Sequence, residues 1–360
     1  MRNRILIVAS EFPPLPGGIG NHAFNLANSL TNKKYKVSVL TDCRSYGNKE
    51  LVYDNSLSFN VIRILLKKNR MLMYFKRVQQ LFSLAKENDI VIASGKFSLW
   101  IVGLLSFFYN RKFIAIVHGT EVNSNSNFFM SLVKFSLERM DVVISVSEFT
   151  QRLISHFKLK KSIVISNGYH IESHNITPIK FNTYPNLVTL GRVSERKGQI
   201  NVVNALPAIK KKYPTVCYRM IGIPEDKESL MSLANSLGVD KNIIFYGQQE
   251  YSELYSIIKS SDIFMMLSQN DAKGDVEGFG IAILESNFFS VPAIGSLGCG
   301  IEDAINNKIS GILIEPQQSN QVLLAITEIL QNHLKYKKQA KKWSNDFTWD
   351  KIVMEYIKEL

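Results

Sequence analysis

The apolar residues of the first half of the chain fall in short β-branched or aliphatic runs, separated by stretches with helical spacing. Residues 5–10, 36–41, 59–65, 90–94, 113–118, 142–146 and 162–166 read as buried strands. Residues 21–30, 71–86, 128–139 and 148–157 read as helices between them. The second half repeats the scheme, with strands at 186–191, 216–222, 243–247, 261–268 and 291–295 and helices at 199–211, 227–237, 250–259 and 281–289. Buried strands alternating with helices predict parallel, doubly wound sheets, an α/β fold. In the helix over 71–86, Met71, Phe75, Val78, Phe82 and Ala85 form the expected inward stripe, with its charges solvated. The longest apolar run, 97–109, is broken by Gly103, is too short to span a bilayer, and reads as a buried helix.

Between the halves, residues 170–183 are polar, contain Pro178 and show no periodicity, which marks a linker. The expected division is a first domain over 1–170, a linker over 171–185, a second domain over 186–345 and a closing helix over 346–360 that Thr348 could cap. A chain of 360 residues suggests two domains of ordinary size. Two doubly wound, Rossmann-like domains facing each other across a cleft would place ligands at the carboxyl ends of their strands.

Composition adds bounds. The chain is 46% apolar and 21% charged, as a soluble globular protein is. Cys43, Cys217 and Cys299 are scattered and odd in number, which fits a reduced cytoplasmic protein and offers no metal spacing. The first ten residues are too short an apolar run for a signal peptide. Net charge is +12, and all of the excess lies early: residues 1–170 hold 23 Lys and Arg against 10 Asp and Glu. Arg63, Lys67, Lys68, Arg70, Lys76 and Arg77 cluster around the helix over 71–86 and suggest docking on an anionic membrane surface. No nucleic-acid recognition motif accompanies the charge, so no nucleic-acid partner is expected.

The chemistry centres on Asp275-Val276-Glu277-Gly278-Phe279-Gly280-Ile281, which runs into a helix carrying Glu285. A strand, a glycine turn and a helix N-terminus together offer backbone N–H groups to an anion. This stretch resembles the Glu-x7-Glu signature of retaining glycosyltransferases of family 4, which have the GT-B fold. Gly191-Arg192, followed by Lys197-Gly198, resembles the family's Gly-Arg…Lys-Gly, and two cations from one loop suit a diphosphate. Arg196 and Glu195 between them read as a solvated pair. Gly17-Gly18 after a proline-containing insert, His118-Gly119-Thr120-Glu121 and Asn167-Gly168 also resemble family features. Gly295 to Pro316 resembles the closing segment, although Cys299 stands where glycine is common and leaves the path of that loop open.

The resemblance implies transfer of a hexosyl unit from a UDP- or GDP-sugar to a lipid-linked diphosphate or saccharide acceptor, with retention. Bacterial surface polysaccharide or lipopolysaccharide synthesis, on the cytoplasmic face of the cell membrane, is the implied setting. In it Glu277 would hold sugar hydroxyls and Glu285 the ribose. Arg192, Lys197 and the backbone at Gly278, Phe279, Gly280 and Ile281 would take the diphosphate, while Gly17, Gly18 and His118 would approach the donor phosphate and sugar. The closing helix would cross back to the first domain. No metal or further cofactor is expected beyond the nucleotide sugar itself. A competing reading rests on Gly18-x-Gly20-x-x-Ala23 with Asp42 at the end of the second strand, which matches a relaxed dinucleotide fingerprint and would make a nicotinamide-dependent oxidoreductase. Glu11 to Pro16 intervene where that fingerprint wants glycine directly after the strand. A non-catalytic sugar- or lipid-binding homologue is the third class, disfavoured by the intact Glu277, Glu285, Arg192 and Lys197.

Overall fold

In the computed structural model, which describes residues 3–45, 48–65, 70–123, 126–171, 176–269 and 274–360, the chain forms two compact units. One comprises Met1–Gly168 with Trp349–Leu360, the other Tyr169–Thr348.

The first unit holds seven strands: β1 Arg4–Ala9, β2 Lys36–Asp42, β3 Asn60–Ile64, β4 Ile90–Ser94, β5 Lys112–Val117, β6 Val142–Ser145 and β7 Ser162–Val164. Their spatial order is β3-β2-β1-β4-β5-β6-β7, all parallel. Strand order reverses between β1 and β4, which fixes the end of the sheet where ligands settle. Alternate strand residues such as Leu6, Val91, Ala115 and Val143 form one core with Leu81, Val102 and Leu137 from three crossover helices. The short helix Lys49–Asn55 has no counterpart in the periodic pattern.

The helix Arg70–Ala85 departs from expectation. Leu81 and Ala85 are buried, but Met71 is 77% exposed and Phe75 68%. Its buried line runs through Arg77, Leu81 and Ala85 at four-residue spacing. Arg77 can lie inward because its guanidinium is bound to both carboxylate oxygens of Asp42. Val78 and Phe82 of the expected stripe pack against the core beside Ala85, so the departure is confined to Met71 and Phe75, on the turns before the inward Arg77. The basic cluster changes with it. Arg63 is also buried, 2.7 Å from Asp54 and 3.2 Å from Glu50. Lys67 and Lys68, and the side chain of Arg70, lie outside the described residues.

The second unit holds β8 Asn186–Leu190, β9 Cys217–Ile221, β10 Ile243–Gly247, β11 Ile263–Met266, β12 Ala293–Ser296 and β13 Gly311–Ile314. Their order is β10-β9-β8-β11-β12-β13, again parallel, reversing between β8 and β11. Residues ahead of β8 pack on this unit: Ile179 N–H donates to Ser260 Oγ at 2.7 Å, and the Arg219 guanidinium lies 3.7 Å from the Phe181 ring centre. The helix Trp349–Lys358 belongs to the first unit, where Tyr356 Oη meets His22 Nε2 at 3.0 Å.

Candidate active site

In the second unit, the loops leaving β8 and β11 flank the reversal point. After β8, Gly191 turns the chain at φ +143°, and a Cβ there would sit 3.4 Å from Lys197 Cε. A single 3-10 turn, Glu195–Lys197, follows, closed by Gly198 in the left-handed region. Gly198 abuts the end of β11, where a Cβ would stand 1.7 Å from the Leu267 carbonyl oxygen. Only glycine fits there, and the contact sets the turn bearing Arg196 and Lys197 beside the loop that follows β11.

That loop reaches Glu277 and then turns through Gly278 to Gly280, whose φ of +95° begins the helix Ile281–Phe288. Phe279 is fully buried, its ring centre 6.1 Å from that of Phe347, and anchors the turn. The turn after β12 backs it: Gly300 N–H donates to the Glu277 carbonyl oxygen at 2.8 Å, and a Cβ on Gly300 would meet Gly278 O at 2.0 Å. Cys299 is buried, with Sγ 3.4 Å from Ser296 Oγ, and is not among the residues with positive φ. Gly300, rather than residue 299, therefore sets the path left open by the sequence.

The Glu277 carboxylate accepts from Lys197 Nζ at 2.7 Å and from the Arg196 guanidinium on the same oxygen. Burial pushes this carboxyl up, but the charges of Lys197 and Arg196 outweigh it and hold it below the ordinary range. Burial pulls Lys197 down, and Glu277 only partly restores it. Two cations against one carboxylate leave a positive charge close to a helix N-terminus, an arrangement suited to an anion.

Arg196 was expected in a solvated pair with Glu195 and is instead part of this cluster. The backbone of the turn explains it. Glu195 N–H donates to Asp226 Oδ2 at 3.0 Å and Gln269 N–H to the Arg196 carbonyl at 2.9 Å, which ties the turn on both sides. Arg192 stands apart, its exposed guanidinium 2.9 Å from Glu225. Glu277 and Glu285 do not share a helix, since Gly280 separates loop from helix. Glu285 lies half-buried in that helix with Tyr255 Oη 3.5 Å from its carboxylate, and burial pushes its carboxyl up to about 7.

In the first unit, Gly18 opens the helix Gly18–Asn32, and nothing lies within 4 Å of a Cβ built on it. A Cβ on Gly17 would strike the Glu11 carboxylate at 2.2 Å. His118 follows β5, with Nε2 2.9 Å from Ser94 Oγ, and burial lowers its pKa to about 4, so the ring is neutral at physiological pH. The backbone N–H of His118 donates at 2.8 Å to Glu121, whose carboxyl burial pushes up to about 7. The His22 ring lies 5.0 Å from that of His118. Asn167 is buried. Asp42, the ribose acid of the oxidoreductase reading, is engaged by Arg77 and cannot serve that role without breaking a buried ion pair.

Sequence reasoning passed over Arg196, Tyr255 and His22. Arg196 and Lys197 before a glycine carried a signal in their adjacency. His22 lies on the buried stripe Ala23, Leu26, Ala27 and Leu30, where a polar residue is a cue. Tyr255 has no local signal.

Two family models account for the chain. Glycosyl transferases group 1 matches residues 170–346, and Glycosyltransferase Family 4 matches residues 16–173. The protein is thus a glycosyltransferase of the GT-B type. It belongs to glycosyltransferase family 4, with a group 1 domain as its second half. Among known proteins it is similar to the GDP-mannose-dependent alpha-(1-6)-phosphatidylinositol monomannoside mannosyltransferase of Mycobacterium tuberculosis, 24% identical over 354 residues, 91% of this chain and 89% of that one. Among solved structures it resembles sucrose-phosphate synthase from Thermosynechococcus elongatus, with a TM-score of 0.81 and 18% identity over 99% of this chain and 98% of that one. Anabaena HepE in complex with UDP and glucose gives a TM-score of 0.80 and 17% identity over 99% and 98%.

Proposed function

We propose that the protein moves a hexosyl unit from a UDP- or GDP-sugar to a lipid-linked or saccharide acceptor, with retention of anomeric configuration, in the synthesis of a bacterial surface polysaccharide or glycolipid. The observation that carries this is the half-buried Glu277 held by Lys197 and Arg196 beside the N-terminus of the helix Ile281–Phe288. A departing nucleoside diphosphate develops negative charge, and preorganised cations and N–H groups lower the barrier most where charge develops. Lys197, Arg192 and the backbone at Gly278, Phe279, Gly280 and Ile281 take the diphosphate in this scheme. Glu277 orients sugar hydroxyls, Glu285 accepts from the ribose, and Gly17, Gly18 and His118 contribute from the first unit. The acceptor oxygen attacks the anomeric carbon on the face the diphosphate leaves, and the leaving phosphate oxygen takes the acceptor proton. No metal or separate cofactor enters this scheme.

The mannosyltransferase relative acts, by its name, on a phosphatidylinositol glycolipid, which favours an acceptor presented at a membrane. No helix among the described residues is long and apolar enough to cross one, and the reading places the protein at the cytoplasmic face as a peripheral enzyme. A nucleotide-release screen over UDP-, GDP- and ADP-sugars with lipid-linked acceptors tests the function, with NMR of the product for the anomer. Acceptor-dependent release from one donor class with a retained anomer is expected. No release from any donor, or an inverted product, would overturn the reading.

A further inference from the structure

One face of the first unit combines exposed aromatic rings with an excess of cations. The helices Arg70–Ala85, Lys96–Leu105 and Asn127–Leu137 contain no Asp or Glu, and the acid that follows the third, Glu138, lies 4.0 Å from Lys134 Nζ. Across them runs a continuous aromatic ladder: Tyr74 on Phe97 at 5.0 Å, Phe97 to Trp100 at 6.2 Å, Trp100 on Phe129 at 5.4 Å, and Phe129 to Phe128 at 5.7 Å. Phe75, Phe128, Phe107 and Phe135 stand at the surface around it, with Phe107 stacked on Phe135 at 5.6 Å. Cations ride on these rings. Lys96 Nζ lies 4.8 Å from the Phe129 ring centre, and the Arg139 guanidinium 3.3 Å from that of Phe107.

We propose that this aromatic, cation-rich face, rather than the basic cluster around Arg63 and Arg77, is the surface that seats the protein in an anionic lipid bilayer. This rests on the membrane-presented acceptor proposed above. Amphipathic rings settle at the level of lipid headgroups, and Lys and Arg extend their charge from apolar stems into the phosphate layer. Each cation near an anionic leaflet adds to the attraction, and Lys76 and Lys134 are exposed on these same helices. Charge complementarity selects the occupant. An isologous dimer through this face would set each cationic surface against its own copy, with no acid in the three helices and Glu138 at their edge already beside Lys134. An anionic lipid surface offers the missing sign, and the exposed phenylalanines offer the depth.

The test is flotation of the full-length protein with phosphatidylcholine vesicles, with and without phosphatidylglycerol. The wild type is expected to float with phosphatidylglycerol present. Phe75→Ser/Phe107→Ser/Phe128→Ser should weaken that binding by at least about tenfold, while Lys76→Ser/Lys134→Ser should reduce the preference for phosphatidylglycerol. Near-native melting of both variants, and normal nucleoside diphosphate binding, would exclude misfolding as the cause. Wild-type binding by the triple-Phe variant would overturn the proposal, as would a wild-type dimer that this variant splits. Flotation needs no substrate. Binding without glycosyl transfer would therefore sink only the functional reading, and transfer without flotation only this one.

Discussion

Lys197 Nζ stands 2.7 Å from Glu277 Oε2, and the Arg196 guanidinium closes on the same oxygen. A diphosphate drawn to these cations must compete with that carboxylate. Glu277→Gln removes the competing charge and keeps the shape. The expected outcome is split: turnover falls about a hundredfold, because sugar hydroxyls lose their acceptor, while the free nucleoside diphosphate binds several-fold more tightly. Calorimetry with the diphosphate alone measures the second effect. Weaker diphosphate binding in the variant would show that Glu277 does not hold these cations back.

Arg192 and Lys197 are both assigned to the leaving group, yet they stand differently. Lys197 is half-buried in the cluster, whereas Arg192 lies in an exposed pair with Glu225. Exposed pairs are weak, and a diphosphate can draw Arg192 away at little cost. Replacing either with Ala should cost about 2–4 kcal/mol in the transition state, between about thirtyfold and a thousandfold in turnover. Glu225→Ala should leave turnover within a few-fold of wild type. If Arg192→Ala turns over normally, the arginine that matters is Arg196.

Glu285 supplies a pH signature. Its carboxyl is pushed up to about 7 by burial, against roughly 4.3 for an ordinary glutamate. Below pH 7 the folded protein holds it protonated, and a protonated carboxyl loses acceptor capacity for ribose hydroxyls. Nucleotide affinity should therefore fall as pH drops through about 7 and level off above it. Binding above pH 7 should consume no proton, and binding below it should release one. Glu285→Gln should bind weakly at every pH, with a flat profile. A sloping profile in that variant would assign the titration to another group.

Much of this architecture is written in local pattern. Most strands of both sheets are apolar runs long enough to declare themselves, although β13 is not among the runs that the pattern marks, and the glycines at 191, 198, 280 and 300 sit where backbones approach closely or φ turns positive. What the sequence hides is ion pairing between distant elements. Arg77 looks like a solvated charge until Asp42, 35 residues earlier, is found to neutralise it. Arg196 likewise looks solvated until Glu277, 81 residues later, is placed beside it. Charge inside a protein is tolerated only with a partner, and hydrophobic periodicity carries no record of partners.

The longest of these hidden links joins His22 to Tyr356, 334 residues apart, with Nε2 and Oη separated by 3.0 Å. Both residues are buried, and the other ring nitrogen of His22 has no hydrogen-bond partner among the described residues. Burial, with the neighbouring His118, holds the His22 pKa well below its ordinary value, so the ring is neutral and needs this hydroxyl. Tyr356→Phe keeps the packing but strands a buried imidazole, which should lower stability by about 1–3 kcal/mol. The His22 ring also lies 5.1 Å from that of Trp349, so the same change loosens the closing helix beside His118. Turnover should fall with it, while affinity for the free nucleoside diphosphate, whose proposed contacts are in the second unit, should not. Urea unfolding and calorimetry read the two effects separately. Wild-type stability in Tyr356→Phe would mean that this hydrogen bond contributes nothing to holding the helix.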